Sequence, residues 1–297
     1  MTAAASARPA QRRLFHVRSR AMRRLLAGIA EHAVAIALAL AFMTPFAVIF
    51  LTAFMTQQQA GSMNLWPQPW VFTNFGDVFT VMTPPFAMDF VNTVIYATVS
   101  AAGVMVSSTL AAYALSRLRW RGRETVFVIV LATMMVPAQV TSLPLYVMYS
   151  QLHLIGTLWP LILPNLLCDA YSIFLLRQFF LTIPSDVTQA ARIDGATEWQ
   201  ILTRVIVPMT RPGIAAVGLF AFLYAWNDFY NPLLYTGNST STQTLAVALT
   251  TLAQSQHQQA YQLQMAAVLM FVVPVLIIFF LAQRVFVEGI NLTGSKD

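Results

Sequence analysis

Six long apolar segments, separated by shorter polar stretches, restrict this chain to a helical fold embedded in a membrane. They lie at residues 32–54, 90–116, 124–150, 158–182, 209–234 and 263–287. Each holds about 20 or more mostly apolar residues, which is enough to cross ~30 Å of hydrocarbon as a tilted helix. Only 9% of the residues are charged, whereas soluble domains carry roughly 25%. The sequence therefore predicts an all-α integral membrane protein with six transmembrane helices.

The basic residues are confined to one side of these spans. All 17 Lys and Arg residues fall in four groups, at residues 8–24, 117–123, 177–211 and 284–296. Three loops between the spans, at residues 55–89, 151–157 and 235–262, contain neither Lys nor Arg. Because basic loops are retained in the cytoplasm, both termini are predicted to be cytoplasmic. That arrangement requires an even number of spans and so supports six.

The stretches outside the spans complete the predicted organisation. They are a basic cytoplasmic segment at 1–31, extracytoplasmic loops at 55–89 and 235–262, a cytoplasmic loop at 183–208 and a cytoplasmic tail at 288–297. Apolar residues recur at helical spacing in the first segment. Residues 11–30 are therefore predicted either to form a basic helix held on the inner membrane surface by anionic lipid or to be a disordered topology anchor. A cleaved signal peptide is disfavoured, because the apolar run from Ala33 to Phe54 exceeds the usual 7–15 residues.

The chain lacks the motifs of the common catalytic and nucleotide-binding sites. Its only lysine is Lys296, so it cannot form the P-loop that cradles ATP phosphates. The histidines are scattered along the chain and there is one cysteine, Cys168, so no metal site is predicted. Asp169 and Asp228 are the acids placed within spans, and a proton relay usually needs more. We therefore expect neither an enzyme nor a chain that carries a cofactor, and an ion-coupled secondary transporter is a less favoured alternative.

The cytoplasmic loop predicts two short helices joined by a sharp turn. Asp186 is expected to cap the first helix at Val187, with Gln189 completing a pattern like a capping box. Gly195 permits the change of direction. An apolar stripe is predicted on the second helix, formed by Ile201, Leu202, Val205 and Ile206. Pro208 and Pro212 bracket the start of the fifth span.

The first helix of this loop presents small side chains. Ala190 and Ala191 lie beside Arg192 and Asp194, a surface that suits insertion into a groove of a cytoplasmic partner. The alternative is a loop that packs only on its own helix ends.

Here the chain resembles a known family. The motif Gln189-Ala190-Ala191, Gly195 and Val205-Ile206-Val207-Pro208 follows the spacing of the EAA loop of permease subunits of ATP-binding-cassette (ABC) importers. Gln189, Val205 and Val207 replace the family's Glu, Ile and Leu. We call residues 183–208 the EAA-like loop. With the segments at 90–123, 134–164, 225–235 and the C-terminal end, the sequence is similar to the carbohydrate-importer branch, and specifically to its maltose-permease-like second subunit.

The resemblance implies a type I ABC importer permease fold and a set of partners. The partners are two ATPase subunits that bind ATP and Mg, a homologous permease subunit, an extracytoplasmic solute-binding protein, membrane lipid and a sugar. No nucleic acid is expected. The coupling residues implied on the EAA-like loop are Gln189, Ala190, Ala191, Arg192, Asp194, Gly195 and Pro208. The location implied is the plasma membrane of a bacterium or archaeon.

Two further sets of residues are candidates for contact with solute or its binding protein. Trp226, Asn227 and Asp228 combine an aromatic face with polar groups, as sugar sites do; they equally suit hydrogen bonding between helices. Asn238, Ser239 and Thr240 lie in a polar outer loop that, by the resemblance, could reach the binding protein. The function expected is import of a mono-, di- or oligosaccharide, with glycerol-phosphate or another polar solute as the alternative. A membrane scaffold without transport activity is disfavoured by the polar loop at 183–212.

Overall fold

A computed structural model describes residues 9–62, 64–82, 85–236, 239–255 and 260–294, with side chains for residues 26–254 and 260–283 within these ranges. In this part of the chain the regular structure is entirely helical. The helices are α1 (Pro9–Ala53), α2 (Gln57–Ala60), α3 (Asn74–Val81), α4 (Phe86–Ser116), α5 (Arg123–Thr133), α6 (Ala138–Gln151), α7 (Trp159–Leu166), α8 (Ala170–Thr182), α9 (Ser185–Ile193), α10 (Glu198–Ile201), α11 (Val207–Met209), α12 (Arg211–Asn227), α13 (Tyr230–Tyr235), α14 (Leu245–Ser255) and α15 (Tyr261–Gly294).

The described helices include up to six candidate membrane spans. Four are long and apolar enough by themselves: Leu26–Ala53, Phe86–Ser116, Trp159–Thr182 and Tyr261–Gln283. Two more arise if each bent pair of helices counts as one span. These pairs are α5 with α6, bent by 94°, and Glu198–Met209 with α12, bent by 81°. All six overlap the apolar segments of the sequence, and the predicted all-α membrane fold is confirmed.

α1 joins the N-terminal segment to the first span without a break. Its backbone is helical from Pro9 to Ala53, so residues 11–30 continue the first span and do not form a separate element. Side chains before residue 26 and residues 1–8 lie outside the described part of the chain, and attachment of the basic face to lipid stays a prediction. α1 packs on α15 and leaves most of its large apolar side chains exposed.

The third and fourth spans are interrupted. Pro137 stands at the N-cap of α6, directly after the bend, because a proline disfavours helical geometry in the residue before it. Pro144 lies within α6 without ending it, so of these two prolines only Pro137 stands at the bend. In the fourth span Cys168 has φ 102°. Asp169 then caps α8 by accepting a hydrogen bond of 2.7 Å from the Ser172 N–H.

α4 is the helix on which α7, α8 and α12 pack. Small residues allow the close approach. A Cβ on Gly103 would lie 2.5 Å from the Leu166 side chain and 3.2 Å from the Asn165 carbonyl oxygen. In lipid, helices are held together by such packing, because lipid tails are as apolar as the side chains.

Buried side chains cluster at both ends of α4. We call the end at Ser116 the loop end and the end at Phe86 the far end. The loop-end cluster joins α4, α8, α12 and the segment that follows α9, and its fully buried members include Leu176, Phe180, Ile201 and Ile206. A second cluster, nearer the far end, includes Tyr96, Tyr149, Trp226 and Tyr235.

Candidate functional site

The EAA-like loop forms a helix-turn-helix at the loop end. α9 ends at Ile193, and Gly195 has φ 81°, a conformation that costs glycine little because it has no Cβ. α10 then begins with a capping box. Thr197 Oγ1 accepts from the Gln200 N–H at 3.3 Å, and Gln200 Oε1 accepts from the Thr197 N–H at 2.8 Å. The predicted turn at Gly195 is confirmed.

The predicted cap at Asp186 is wrong, and so is the capping-box role of Gln189. Pro184 occupies the N-cap position and α9 begins at Ser185, so Asp186 already lies in the first turn. Its carboxylate accepts a hydrogen bond of 3.3 Å from the Ser185 hydroxyl. The fixed φ of proline sets the start of the helix, and an acid in the first turn still suits the helix dipole.

Most residues implied in coupling lie on an exposed surface. The exposed ones are Gln189, Ala190, Arg192, Asp194 and Gly195. Ala191 is half-buried and packs on the loop-end cluster, and Pro208 is half-buried in α11. The structure therefore separates the motif into an exposed face of α9 and a part that is anchored in the bundle.

Two large apolar side chains extend this exposed surface. Ile193 is 86% exposed and Trp199 is 64% exposed. A Cβ on Gly195 would meet no atom within 4 Å, so the surface is open at the turn. Exposed apolar groups next to small residues indicate a protein contact. Ile193 and Trp199 could not be predicted as exposed, because neither residue belongs to a periodic pattern that would mark which side of its helix faces the core.

The opposite face of the loop is anchored in the core. Ile201, Leu202 and Ile206 are buried and Val205 is half-buried, which confirms the predicted apolar stripe. The segment Leu202–Ile206 is a π-helix and not the α-helix that the spacing predicted. Single π-turns of this kind are frequent at functional sites.

An ionic and hydrogen-bonded network ties the two arms of the loop to α4. Glu198 Oε1 accepts from Arg192 Nε at 2.8 Å, across the Gly195 turn. Glu198 Oε2 accepts from the Tyr113 hydroxyl at 2.5 Å. The hydrogen bond that Arg192 donates to Glu198 raises the pKa of Arg192 above its usual value, so Arg192 remains a cation on this surface.

Trp226 is enclosed by other aromatic rings. It is 1% exposed, and its Nε1–H donates to the Phe271 carbonyl oxygen at 3.2 Å. Its ring stacks on Phe222 and Phe271, with centroids 5.4 and 5.6 Å apart, and meets the Phe90 ring edge-on at 5.9 Å. No face of the indole is open to a solute, so of the two uses foreseen for Trp226 the geometry favours packing between helices.

Asn227 and Asp228 differ in their surroundings. Asn227 is exposed and donates to the Leu223 carbonyl oxygen at 2.8 Å, within its own helix. Asp228 accepts three hydrogen bonds: from the Tyr96 hydroxyl at 2.8 Å, and from the Asn231 side chain and backbone at 3.0 and 3.2 Å. Asp228 thus joins the end of α12 to α4 and to the start of α13.

A cavity of about 160 Å³ is lined in part by Tyr96 and Asn231, the two residues that donate hydrogen bonds to the Asp228 carboxylate. An engineered cavity of about 150 Å³ in another protein holds one benzene ring, so this space is large enough for a single six-membered ring. Its polar lining comes from Tyr96, Tyr149, Tyr224, Tyr235, Asn165, Asn231 and Thr141. Aromatic rings that carry hydroxyls, together with side-chain amides, are the groups that recognise polyhydroxylated solutes. These tyrosines could not be predicted to lie together, because they come from four helices (α4, α6, α12 and α13) that are spread along the chain from Tyr96 to Tyr235.

The outer loop folds against neighbouring segments. Ser239 is half-buried and Thr240 is exposed, whereas Asn238 lies outside the described residues. The Ser239 hydroxyl is 3.1 Å from that of Ser241. The Thr242 hydroxyl donates to the Gly156 carbonyl oxygen at 2.8 Å, which fixes this loop to the turn before α7.

Within the described ranges, no group of three or more His, Cys, Asp and Glu side chains is placed to hold a metal ion. Asp169 is used as the cap of α8. Neither Asp169 nor Asp228 is paired with a basic side chain in the part of the chain that the structure describes.

The fold and the exposed loop define a membrane permease subunit, and comparisons with known proteins agree. The structure is similar to that of a bacterial ABC transporter involved in the import of the acidic polysaccharide alginate, with TM-score 0.72, 23% identity, and coverage of 95% of this chain and 99% of that one. A second structure of the alginate transporter, in complex with an alginate pentasaccharide-bound periplasmic protein, matches with TM-score 0.63 and 19% identity over 87% of this chain and 96% of that one. The type I ABC importer permease fold is thereby confirmed.

The chain belongs to the family of binding-protein-dependent transport system inner membrane components, whose profile matches residues 103–291. It is 35% identical over 75% of its length to the osmoprotective compounds uptake permease protein GgtD of Synechocystis sp., 74% of which is covered. It is 33% identical over 65% of its length to the arabinooligosaccharides transport system permease protein AraQ of Halalkalibacterium halodurans, with 68% covered. It is 30% identical over 88% of its length to the sn-glycerol-3-phosphate transport system permease protein UgpE of Pectobacterium atrosepticum, with 95% covered.

Proposed function

We propose that this chain is one half of a heterodimeric translocation pore that imports a sugar across the bacterial inner membrane. The second half is a homologous permease subunit, and an extracytoplasmic binding protein delivers the solute. Two ATPase subunits bind ATP and Mg and drive the cycle, so the chain itself is a non-catalytic component. Three similarities support these partners and this location: the family, the alginate transporter fold, and the complex of that transporter with its periplasmic protein.

The observation that carries the proposal is the exposed surface of the EAA-like loop. A helix that is anchored at both of its ends and exposed along one face is suited to bind another protein. The small residues Ala190 and Gly195 let a partner approach the backbone, while Ile193 and Trp199 supply apolar area. Docking of the ATPase subunits against α9 would hide this surface from water and link their closure to the spans.

Gln189 is proposed to contact the ATPase subunit without carrying a charge. It is exposed on α9, so its amide is free to hydrogen bond across the interface. A neutral amide makes a weaker bond than the charge-assisted bond of a carboxylate. Arg192, which is also exposed on α9 and paired with Glu198, provides charge on this surface.

The solute is proposed to be a mono-, di- or oligosaccharide that passes the tyrosine-lined cavity. Relatives named for arabinooligosaccharides and the alginate transporter support a sugar, and the ring-sized cavity agrees. The relative named for sn-glycerol-3-phosphate supports glycerol-phosphate as the alternative. On this chain Asp228 is placed to orient the Tyr96 hydroxyl at the cavity wall, and Ser239 and Thr240 are proposed to face the binding protein.

Gly195→Trp tests the docking surface. The variant should insert in the membrane and still lose transport and the copurifying ATPase subunits, because the indole would occupy the open turn. Gly122→Trp is the matched control: Gly122 is also exposed, has φ 89° and meets only Trp120, at 3.9 Å. It therefore carries the same backbone strain outside the loop. Normal ATPase binding and transport by Gly195→Trp would refute docking at this surface.

A further inference from the structure

We propose that α4 is the element that carries the movement of α9 to the far end of the bundle, and that Tyr113 and Arg117 are the positioning residues that hold α9 to it. The inference rests on the proposed docking of ATPase subunits at the EAA-like loop. It goes further by naming which span receives the motion and through which side chains.

Two sets of hydrogen bonds, which we call holds, fix α9 to α4, and the first lies just before α9. Arg117 follows the last residue of α4, and its guanidinium Nη2 donates to the Ile183 carbonyl oxygen at 2.6 Å and to the Phe180 carbonyl oxygen. These carbonyls belong to the end of α8 and the residue before Pro184. A cation at the C-terminal end of a helix satisfies carbonyls that have no partner within the helix. The chain that leads into α9 is thus fixed to α4.

The second hold lies just after α9. Tyr113 is 4% exposed, and its hydroxyl donates to Glu198 at 2.5 Å. Through its other oxygen Glu198 binds Arg192 in the last turn of α9. A hydrogen bond to a carboxylate is stronger than one between neutral groups, so this joint ties the end of α9 to α4.

The two holds belong to the same part of α4. Tyr113 and Arg117 are four residues apart and so lie on one face, one turn from each other. Between the two holds, α9 rests on the loop-end cluster through Val187 and Ala191. Through the two holds, a push on the exposed face of α9 therefore reaches the end of α4 directly.

The far end of α4 holds the outer segments in the same way. Asn92 Nδ2 donates to the Ser241 and Gln243 carbonyl oxygens, both at 3.0 Å. Thr93 Oγ1 accepts from the Leu245 N–H at 2.8 Å. One turn further on, Tyr96 binds Asp228. These contacts attach the outer loop and the cavity wall to the helix that receives α9.

α4 is suited to act as a rigid body because it is helical throughout from Phe86 to Ser116. Tyr96 and Tyr113 are separated by about 25 Å at a rise of 1.5 Å per residue. A second route from the loop toward the far end runs through α10 to α12. That route contains a π-helix and a bend of 81°, which can absorb a displacement before it reaches Trp226.

The experiment uses the whole transporter purified with its ATPase subunits and reads the two ends of α4 separately. A cysteine at Ser241, in a Cys168→Ser background, reports by its thiol-labelling rate how the far end responds to ATP with vanadate. In Tyr113→Phe we expect the ATPase subunits to remain bound. The labelling response to ATP should shrink, and the solute moved per ATP should fall about tenfold, the scale of one hydrogen bond to a charged group. Tyr171→Phe, which removes a hydroxyl from a residue 45% exposed on α8, should change neither.

Glu198→Ala tests the same contact from its other partner, because Glu198 accepts from the Tyr113 hydroxyl. The Glu198 side chain is 46% exposed. Adding Tyr113→Phe to Glu198→Ala should cause no further loss, because Glu198→Ala already removes the carboxylate that accepts from the Tyr113 hydroxyl. Additive losses would overturn the inference, as would a normal far-end response in Tyr113→Phe or the release of the ATPase subunits by that variant. Failure of the unaltered chain to bind ATPase subunits would instead refute the proposed function.

Discussion

At the scale of single residues, three of the acids near the spans serve as caps and joints between helices. Asp169 caps α8, Asp228 binds Tyr96 and Asn231, and Glu198 binds Arg192 and Tyr113. A carboxylate removed from water is costly unless it is hydrogen-bonded, and each of these three accepts at least one such bond. Their hydrogen bonds explain why the chain tolerates these three acids next to its apolar segments.

Trp226→Ala tests whether this side chain packs or binds solute. Because the indole is enclosed by three aromatic rings, its removal should leave a cavity and destabilise the protein by about 3–5 kcal/mol. Thermal unfolding in detergent measures the loss. Asn227→Ala, at the exposed neighbouring position, should unfold near the temperature of the unaltered protein. Reduced transport by Trp226→Ala with unchanged thermal stability would instead favour a direct solute contact.

At the scale of helices, breaks and close contacts position the site. Pro137, the Cys168 turn and the bend before α12 interrupt spans that composition alone describes as continuous. The apolar segments predicted these spans because hydropathy depends on local composition. The breaks differ in how visible they are: a proline can mark one in the sequence, whereas the φ of 102° at Cys168 has no local signal. The start of α9 was predicted at the wrong residue because Pro184 and Asp186 both suit a helix start.

Gly103→Ala tests the close packing of α4 on α7. The added Cβ would overlap the Leu166 side chain and press on the Asn165 carbonyl oxygen, so we expect destabilisation of about 1–3 kcal/mol. Gly28→Ala is the control, because a Cβ on Gly28 of α1 meets no atom within 4 Å. That change should be neutral or slightly stabilising, since alanine favours helix over glycine. Equal melting temperatures for the two variants would contradict the packing seen at Gly103.

At the scale of the whole molecule, the distribution of Arg and Lys predicts the orientation in the membrane. Among the described basic side chains, Arg117, Arg177 and Arg192 lie at the loop end of the bundle, where residues 117–123 and the EAA-like loop come together. The stretch from Ala53 to Phe86, at the far end, contains no basic residue. By the positive-inside rule, we expect the proposed docking surface to lie in the cytoplasm and the cavity to lie nearer the outside.

Cysteine labelling of intact cells tests this orientation. In a Cys168→Ser background, a membrane-impermeant thiol reagent should label Gly61→Cys but not Gly122→Cys, because the positive-inside rule places Gly122 in the cytoplasm. Both positions are exposed, so the two variants are matched in accessibility. Opening the membrane should allow both to react. Labelling of Gly122→Cys in intact cells would reverse the topology.

The amino-acid sequence was sufficient to predict the spans, their expected orientation and the place of the EAA-like loop. The spans and the loop depend on composition or spacing over short stretches of chain, and the orientation depends on how Lys and Arg are distributed among the stretches between the spans. It could not show that Glu198 meets Tyr113 or that Asp228 meets Tyr96, pairs that are 85 and 132 residues apart. Nor could it show that Trp226 is enclosed while Ile193 is exposed. Such contacts depend on how the helices cross in space, and helix crossing is set by the packing of the whole bundle.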